Sequence, residues 1–252
     1  MFQPPTGEPS FRLGRRRIVT QDHTGQPRYA EIPLSVQDYL DPLPDDDFEL
    51  GERHARAIRR MASILRTHTR YNPAVTVLTR TKVRWDAPLA SHPAPDILLL
   101  NNLSEPSRPR PILDLAQEQV TVRAVIEIVA PLFAAQDLHD LPALYAAAGV
   151  PELWLIDCGL RPSTPQVRYT IQGFVLRDGV YAPIVPDDTG RLVSERGRFF
   201  LAVTPDAQDF MVGDTRSGQT IVPAADLDYP TSARVEATLR AESIAAKLDF
   251  LR

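Results

Sequence analysis

Residues Val122–Asp157, VRAVIEIVAPLFAAQDLHDLPALYAAAGVPELWLID, decide how this chain is read. An apolar run broken by one carboxylate, Glu127, leads through a helical pattern ending at Gly149 into a second apolar run, Leu153 to Ile156. Four to eight apolar residues bounded by turn formers suit a buried strand, and a buried strand holds a glutamate only when something binds it. The helical piece carries Leu138, Leu141, Leu144, Tyr145 and Ala148 as apolar positions, with Gly149 as its C-cap. Because proline inside a helix costs about 3 kcal/mol, the expected start is late, with Asp140 as N-cap and Pro142 in the first turn.

Upstream, PAPDILLLNN places Asp96 at the entrance to a second buried strand, Ile97 to Leu100, and a polar, proline-rich excursion separates the two strands. Before it, Ala74 to Trp85 alternates: Val75, Val77, Thr79, Thr81, Val83 and Trp85 share one parity, while Leu78, Arg80, Lys82 and Arg84 share the other. That predicts a strand or hairpin with one buried face. A helix is expected to begin near Phe48, with Ala55, Ile58, Met61, Ala62 and Leu65 as its stripe. Its arginines, including Arg53, Arg56 and Arg60, form either a solvated face or a contact with DNA phosphates, as Lys82 also could.

Residues 1–30 read as an extended, flexible arm, in which Arg15, Arg16 and Arg17 are either a solvated cluster or a phosphate contact. Downstream of the quoted stretch come short β-like pieces with a hairpin turn at Arg177-Asp178-Gly179. A charged helical pattern from about Thr231 closes the chain. The expected division is an arm (1–30), one α/β domain (31–205) and an extension ending in a helix (206–252). That last helix is expected to dock on the domain or pair two copies in a homodimer.

With 43% hydrophobic residues among 252, the chain can bury one sizeable core. A net charge of -4 gives no global attraction to nucleic acid, so any such contact must be a local patch. Cys158 is the only cysteine, which excludes a disulfide framework and a cysteine-rich zinc site and fits a reducing compartment. No apolar run reaches the ~20 residues that span a bilayer, and the first residues lack the apolar core of a signal peptide, so the expected setting is the cytoplasm. Lysine occurs only at Lys82 and Lys247, which restricts the choice of a catalytic amine.

Two carboxylates delivered by adjacent strands suit Mg²⁺, which takes hard oxygen ligands, polarises a phosphodiester and acidifies water. Asp96 and Glu127 are that candidate pair. Other readings stand beside it: Asp96 as a turn or strand cap, Glu127 as partner to a buried arginine, Trp154 and Tyr145 as plain core aromatics.

The succession PAPDILLL, VIEIVAP and QDLHDLPALYAAAGVPELWLID, with the helix GERHARAIRRMASIL, resembles the Uma-type (Uma-two) restriction-endonuclease family of the PD-(D/E)XK superfamily. The likeness covers about Glu49 to Leu176, and AGVPELWLID is its most specific part. It implies a restriction-endonuclease-like α/β fold, a central mixed sheet flanked by helices, with Asp96 and Glu127 as catalytic metal ligands for Mg²⁺-dependent cleavage of DNA. The resemblance also calls for a lysine two residues after the glutamate, or four after the position of Asp137. Here those positions hold Val129 and Leu141, and Ala130 replaces a serine that often follows the glutamate motif. Lys82, Arg84 and Gln136 are the residues left to take over part of the lysine's role. The expectation is therefore a nuclease with weak Mg²⁺ binding and impaired catalysis; the alternative is a non-enzymatic DNA-binding or protein-interaction protein on the same fold.

Overall fold

The computed structural model describes residues 14–43, 46–48, 52–89, 92–108, 110–129, 134–157 and 168–223. Three strands, β1 (Gly14–Gln21), β2 (Pro27–Pro33) and β3 (Asp46–Phe48), form a small antiparallel sheet ordered β2-β1-β3, and the short helix α1 (Val36–Leu40) lies between β2 and β3 in sequence. Helix α2 (Glu52–Thr69) follows, then β4 (Val75–Thr79), β5 (Val83–Arg84), β6 (Ile97–Asn101), β7 (Leu113–Asp114), α3 (Leu115–Glu118) and β8 (Thr121–Val129). The chain continues as α4 (Ala134–Ala147), β9 (Glu152–Asp157), β10 (Thr170–Arg177), β11 (Val180–Pro183), β12 (Leu192–Ser194), β13 (Phe199–Val203) and β14 (Phe210–Asp214).

The central sheet has six strands in the order β11-β10-β9-β8-β6-β4. Only β8 and β9 pair in parallel, because a parallel neighbour needs a crossover and α4 supplies it. Period-two alternation sorts the strand residues into two cores. Ile97, Leu99, Ala124, Ile126, Ile128, Trp154 and Ile156 face α2 and the three-stranded sheet β12-β13-β14; Leu98, Leu100, Val125, Val129, Leu153 and Leu155 face α4. The stripe expected on α2 is the buried one, with Ile58, Met61, Ala62 and Leu65 in the first core.

Helix α4 ends in a Schellman motif. Val150 N donates to Tyr145 O at 3.0 Å and Gly149 N to Ala146 O at 3.0 Å, with Gly149 at φ +73°. The expected hairpin turn is also present: Asp178 and Gly179, both at positive φ, join β10 to β11.

Several expectations need correction. Residues 14–33 are a β-hairpin rather than an extended arm, and Arg15, Arg16 and Arg17 are paired with Glu31, Asp38, Asp46 and Asp47. Hydrogen bonding to Asp46 holds the Arg16 guanidinium above its ordinary pKa. Phe48 belongs to β3, so the first long helix begins only at Glu52. The alternating stretch 75–85 is neither one strand nor a hairpin: Arg80 turns left-handed at φ +47°, its N–H donating to Pro95 O at 3.0 Å, and β5 pairs with β7 in another sheet. Helix α4 runs straight through Asp137, Asp140 and Pro142, so neither aspartate is its N-cap. Burial of Leu141 and Tyr145 against the sheet outweighs the hydrogen bond that the proline cannot make. The boundary at 205 would cut between paired β13 and β14, whose Phe199, Leu201, Phe210 and Val212 share the α2-side core. Cys158 and the expected C-terminal helix lie outside the described residues.

Candidate active site

The register of β6 against β8, Ile97 with Ile126 and Leu98 with Val125, sets Asp96 opposite Glu127. Both carboxylates are buried, at 3% and 4% exposure, on the face that α4 covers. A buried carboxylate without donors would cost several kcal/mol, and each has donors here. Ile128 N donates to Asp96 Oδ2 at 3.0 Å, and Asp96 N donates to Glu127 Oε2 at 3.3 Å. Tyr145, on the face of α4 turned to the sheet, donates its hydroxyl to Glu127 Oε1. Burial first, then the charge of Glu127, holds the Tyr145 phenol well above its ordinary pKa, so it stays a neutral donor.

His54, in the first turn of α2 and 2% exposed, completes the group. Its Nε2 lies 2.6 Å from Ile128 O and 3.2 Å from Asp96 Oδ2, while Nδ1 has no partner among the described residues. A carbonyl accepts only from a protonated nitrogen, so in this conformation Nε2 carries the hydrogen.

A carboxylate oxygen, a main-chain carbonyl and an imidazole nitrogen therefore converge beside the second carboxylate. The oxygens of Asp96, Glu127 and Ile128 are of the kind Mg²⁺ takes, whereas His54 Nε2, carrying its hydrogen toward Ile128 O, is a donor and not a ligand in this arrangement. Among the described residues no group of three or more His, Cys, Asp or Glu side chains forms a metal cluster, and the acids are closed by protein donors.

A cavity of about 340 Å³ opens beside Asp96, lined also by Arg80, Lys82, Asp46, Tyr39 and Phe48. The left-handed turn at Arg80 brings Lys82 there. Its ammonium donates to Pro42 O at 2.7 Å and sits 3.3 Å from Asp41 Oδ1. Arg84, the other cation considered, is paired with Asp114 at 2.8 Å. Leu141, at the position where the family resemblance calls for lysine, is 3% exposed and packs in the α4-side core. The side chains of Gln136 and Arg53 lie outside the described residues. Arg56 is exposed on α2, whereas Arg60 pairs with Asp209 and stands over the Phe210 ring at 4.9 Å.

Two members of the site are not among the sequence candidates. His54 falls at i−4 from Ile58, a polar residue on an apolar stripe, and that position is its only signal. Tyr145 is the core aromatic expected, but its hydroxyl has a partner that no spacing rule could supply.

A mixed sheet with helices on both faces, whose adjacent antiparallel strands oppose two buried carboxylates beside a cavity lined by both acids and cations, defines a protein of the mixed α/β class. The chain belongs to the Uma2 family, described as "Putative restriction endonuclease", whose pattern matches residues 49–199, more than half of the chain. One similar solved structure is that of "a putative nuclease belonging to DUF820" from Anabaena variabilis. It is 15% identical, covers 74% of this chain and 86% of that chain, and gives a TM-score of 0.35. No curated protein matches the chain. Among the described residues no helix is long and apolar enough to cross a membrane.

Proposed function

We propose that this protein is a slow, Mg²⁺-dependent phosphodiesterase acting on DNA in the reducing setting of the cytoplasm, with Asp96 and Glu127 at its centre. The observation that carries the reading is the opposed pair of buried carboxylates beside a cavity that also presents Arg80 and Lys82. Asp96 and Glu127 would hold the cation, with the Ile128 carbonyl beside them and His54 donating to that carbonyl. When bound, the cation supplies Lewis-acid polarisation of the phosphate and an acidified water.

The chain's own residues support a slow reaction. Tyr145 keeps Glu127 oriented but, as a neutral phenol, offers neither positive charge nor a proton acceptor. Arg80 and Lys82 are the cations a phosphate would meet in the cavity, beside Asp47 and the Arg16-paired Asp46. Lys82 is tied to Pro42 O and Asp41, so it reaches a phosphate only by leaving those partners. Leu141 contributes packing and no charge.

Nicking of supercoiled plasmid in Mg²⁺ or Mn²⁺ tests the reading. Weak cleavage is expected, abolished by Asp96→Asn and reduced about tenfold or more by Lys82→Met. Metal-dependent cleavage as fast in Asp96→Asn as in the wild type would refute it.

A non-enzymatic role on the same fold is favoured by one observation: Glu127 Oε1 and Oε2, Asp96 Oδ2 and Ile128 O are all already engaged by protein groups. Under that reading no divalent ion raises the melting temperature and no cleavage occurs at any metal concentration.

A further inference from the structure

The loop between β12 and β13 is pinned from inside at several points. Glu152, 1% exposed, accepts from Ser194 Oγ at 2.5 Å and from Arg196 N at 2.9 Å. Ser194 Oγ accepts in turn from Gly197 N at 2.7 Å. Arg123, at the irregularity in the β6–β8 register, donates from Nε to Arg196 O at 2.6 Å and from Nη1 to Asn101 Oδ1 at 3.0 Å. His68 Nε2 lies 3.1 Å from Gly197 O, and Thr215 Oγ1 donates to Arg198 O at 3.0 Å. The main chain of the loop is thus spent inward.

Its arginine side chains go the other way. Arg196, Arg198 and, on the neighbouring turn after β14, Arg216 are exposed, and none makes an ion pair or side-chain hydrogen bond among the described residues. Elsewhere several arginines are neutralised by carboxylates, as at Arg15, Arg16, Arg60, Arg84, Arg108 and Arg110. The three carboxylates nearby do not cancel the cluster. Glu152 is buried, Asp214 accepts from Arg216 N and Ser217 N and faces His68, and only Glu195 is exposed. Burial, then the charge of Arg198, lower the pKa of Arg123, against the opposing charge of Glu152. For a chain of net charge -4, this is the local basic patch that phosphate binding requires.

We propose that Arg196, Arg198 and Arg216 form a pre-organised surface for the phosphate backbone of duplex DNA, separate from the carboxylate site. The proposal rests on the DNA-directed reading above and adds where the duplex is held. Arg123 lies four residues before Glu127 on β8, about 13 Å along the strand, but the β12-β13-β14 sheet packs on the face of the central sheet opposite the carboxylates. Fixing the loop before binding means little ordering entropy is lost when phosphates dock. Guanidinium forks on a rigid turn suit phosphate oxygens, and they carry no information about base sequence.

The test is fluorescence anisotropy of the full chain with a labelled duplex of about three helical turns, titrated at several salt concentrations without divalent metal. The triple variant Arg196→Gln, Arg198→Gln, Arg216→Gln is expected to bind at least about tenfold more weakly. Its slope of log affinity against log salt should be shallower by about 0.9 for each phosphate that the variant no longer neutralises. Circular dichroism and urea unfolding of the variant should match the wild type, since the substituted side chains are exposed. An unchanged affinity and slope, or no binding by the wild type at low salt, would overturn the surface. The plasmid-nicking assay separates this from the function above: weakened binding in the triple variant with no cleavage by the wild type leaves the surface standing and removes the nuclease. Cleavage with an unchanged salt slope does the reverse.

Discussion

Asp96 and Glu127 face each other across β6 and β8, and each is tied to the other's strand: Asp96 N donates to Glu127 Oε2, and Ile128 N donates to Asp96 Oδ2. The two acids are one cross-strand unit rather than two independent ligands. Both oxygens of Glu127 accept, one from a main-chain N–H and one from the Tyr145 hydroxyl. An amide offers one acceptor where two are used. Glu127→Gln should therefore destabilise the fold by about 1–2 kcal/mol, read by urea denaturation, as a donor is left facing a donor. Stability equal to the wild type would show that the carboxylate is not so engaged.

Tyr145→Phe deletes one donor and leaves the ring in place. With Tyr145 fully buried and its ring edge-on to Trp85 at 5.7 Å, no water replaces the missing hydroxyl without repacking. The expected cost is about 1–3 kcal/mol. Because the partners touch, a double-mutant cycle with Glu127→Gln should show a coupling of at least about 0.5 kcal/mol. Additive effects would separate the tyrosine from the acid.

Gly173 lies across from Trp154 in the β9–β10 ladder, and a methyl group there would meet the indole at 2.7 Å. Trp154 is fully buried, packed on Phe199 at 5.5 Å, and cannot move aside cheaply. Gly173→Ala should cost about 1–3 kcal/mol by overpacking, lowering the thermal midpoint by several degrees. A neutral result would mean that the indole has room the packing does not show.

His68 supplies a pH dependence. Burial is the largest influence on it and lowers its pKa from 6.5, against the opposing effects of Gly197 O and Asp214. A base with a depressed folded pKa binds fewer protons folded than unfolded. Its contribution is therefore intact above the unfolded value and is lost as pH falls through the folded one. Denaturant midpoints compared above and below pH 6.5 should fall more on acidification for the wild type than for His68→Gln. Equal falls would assign the acid sensitivity to other groups.

The strands carrying the acids were legible because β6, β8 and β9 are buried and read as short apolar runs, with Gly149 marking the end of the helix between them. The late start assigned to α4 failed for a physical reason. Proline's local penalty is a few kcal/mol, and two buried side chains on the same helix repay it, but burial is not written in a local window. Likewise the alternation from Val75 to Trp85 looked continuous because parity survives a turn. Only the left-handed Arg80, held by Pro95 O, shows that Lys82 leaves the sheet and enters the cavity.

By itself, the sequence determined the succession of β6, β8, α4 and β9 and the two carboxylates on it, since these follow from residue type and short-range spacing, while the family resemblance showed lysine absent from its expected places. Tertiary structure alone decided that Asp96 stands opposite Glu127, that His54 and Tyr145 close around them, and that Lys82 rather than Arg84 reaches the cavity. Those relations depend on strand register and on side chains brought together over separations of 18 to 74 residues. Such distances are closed by burial of the whole core, which no local pattern encodes.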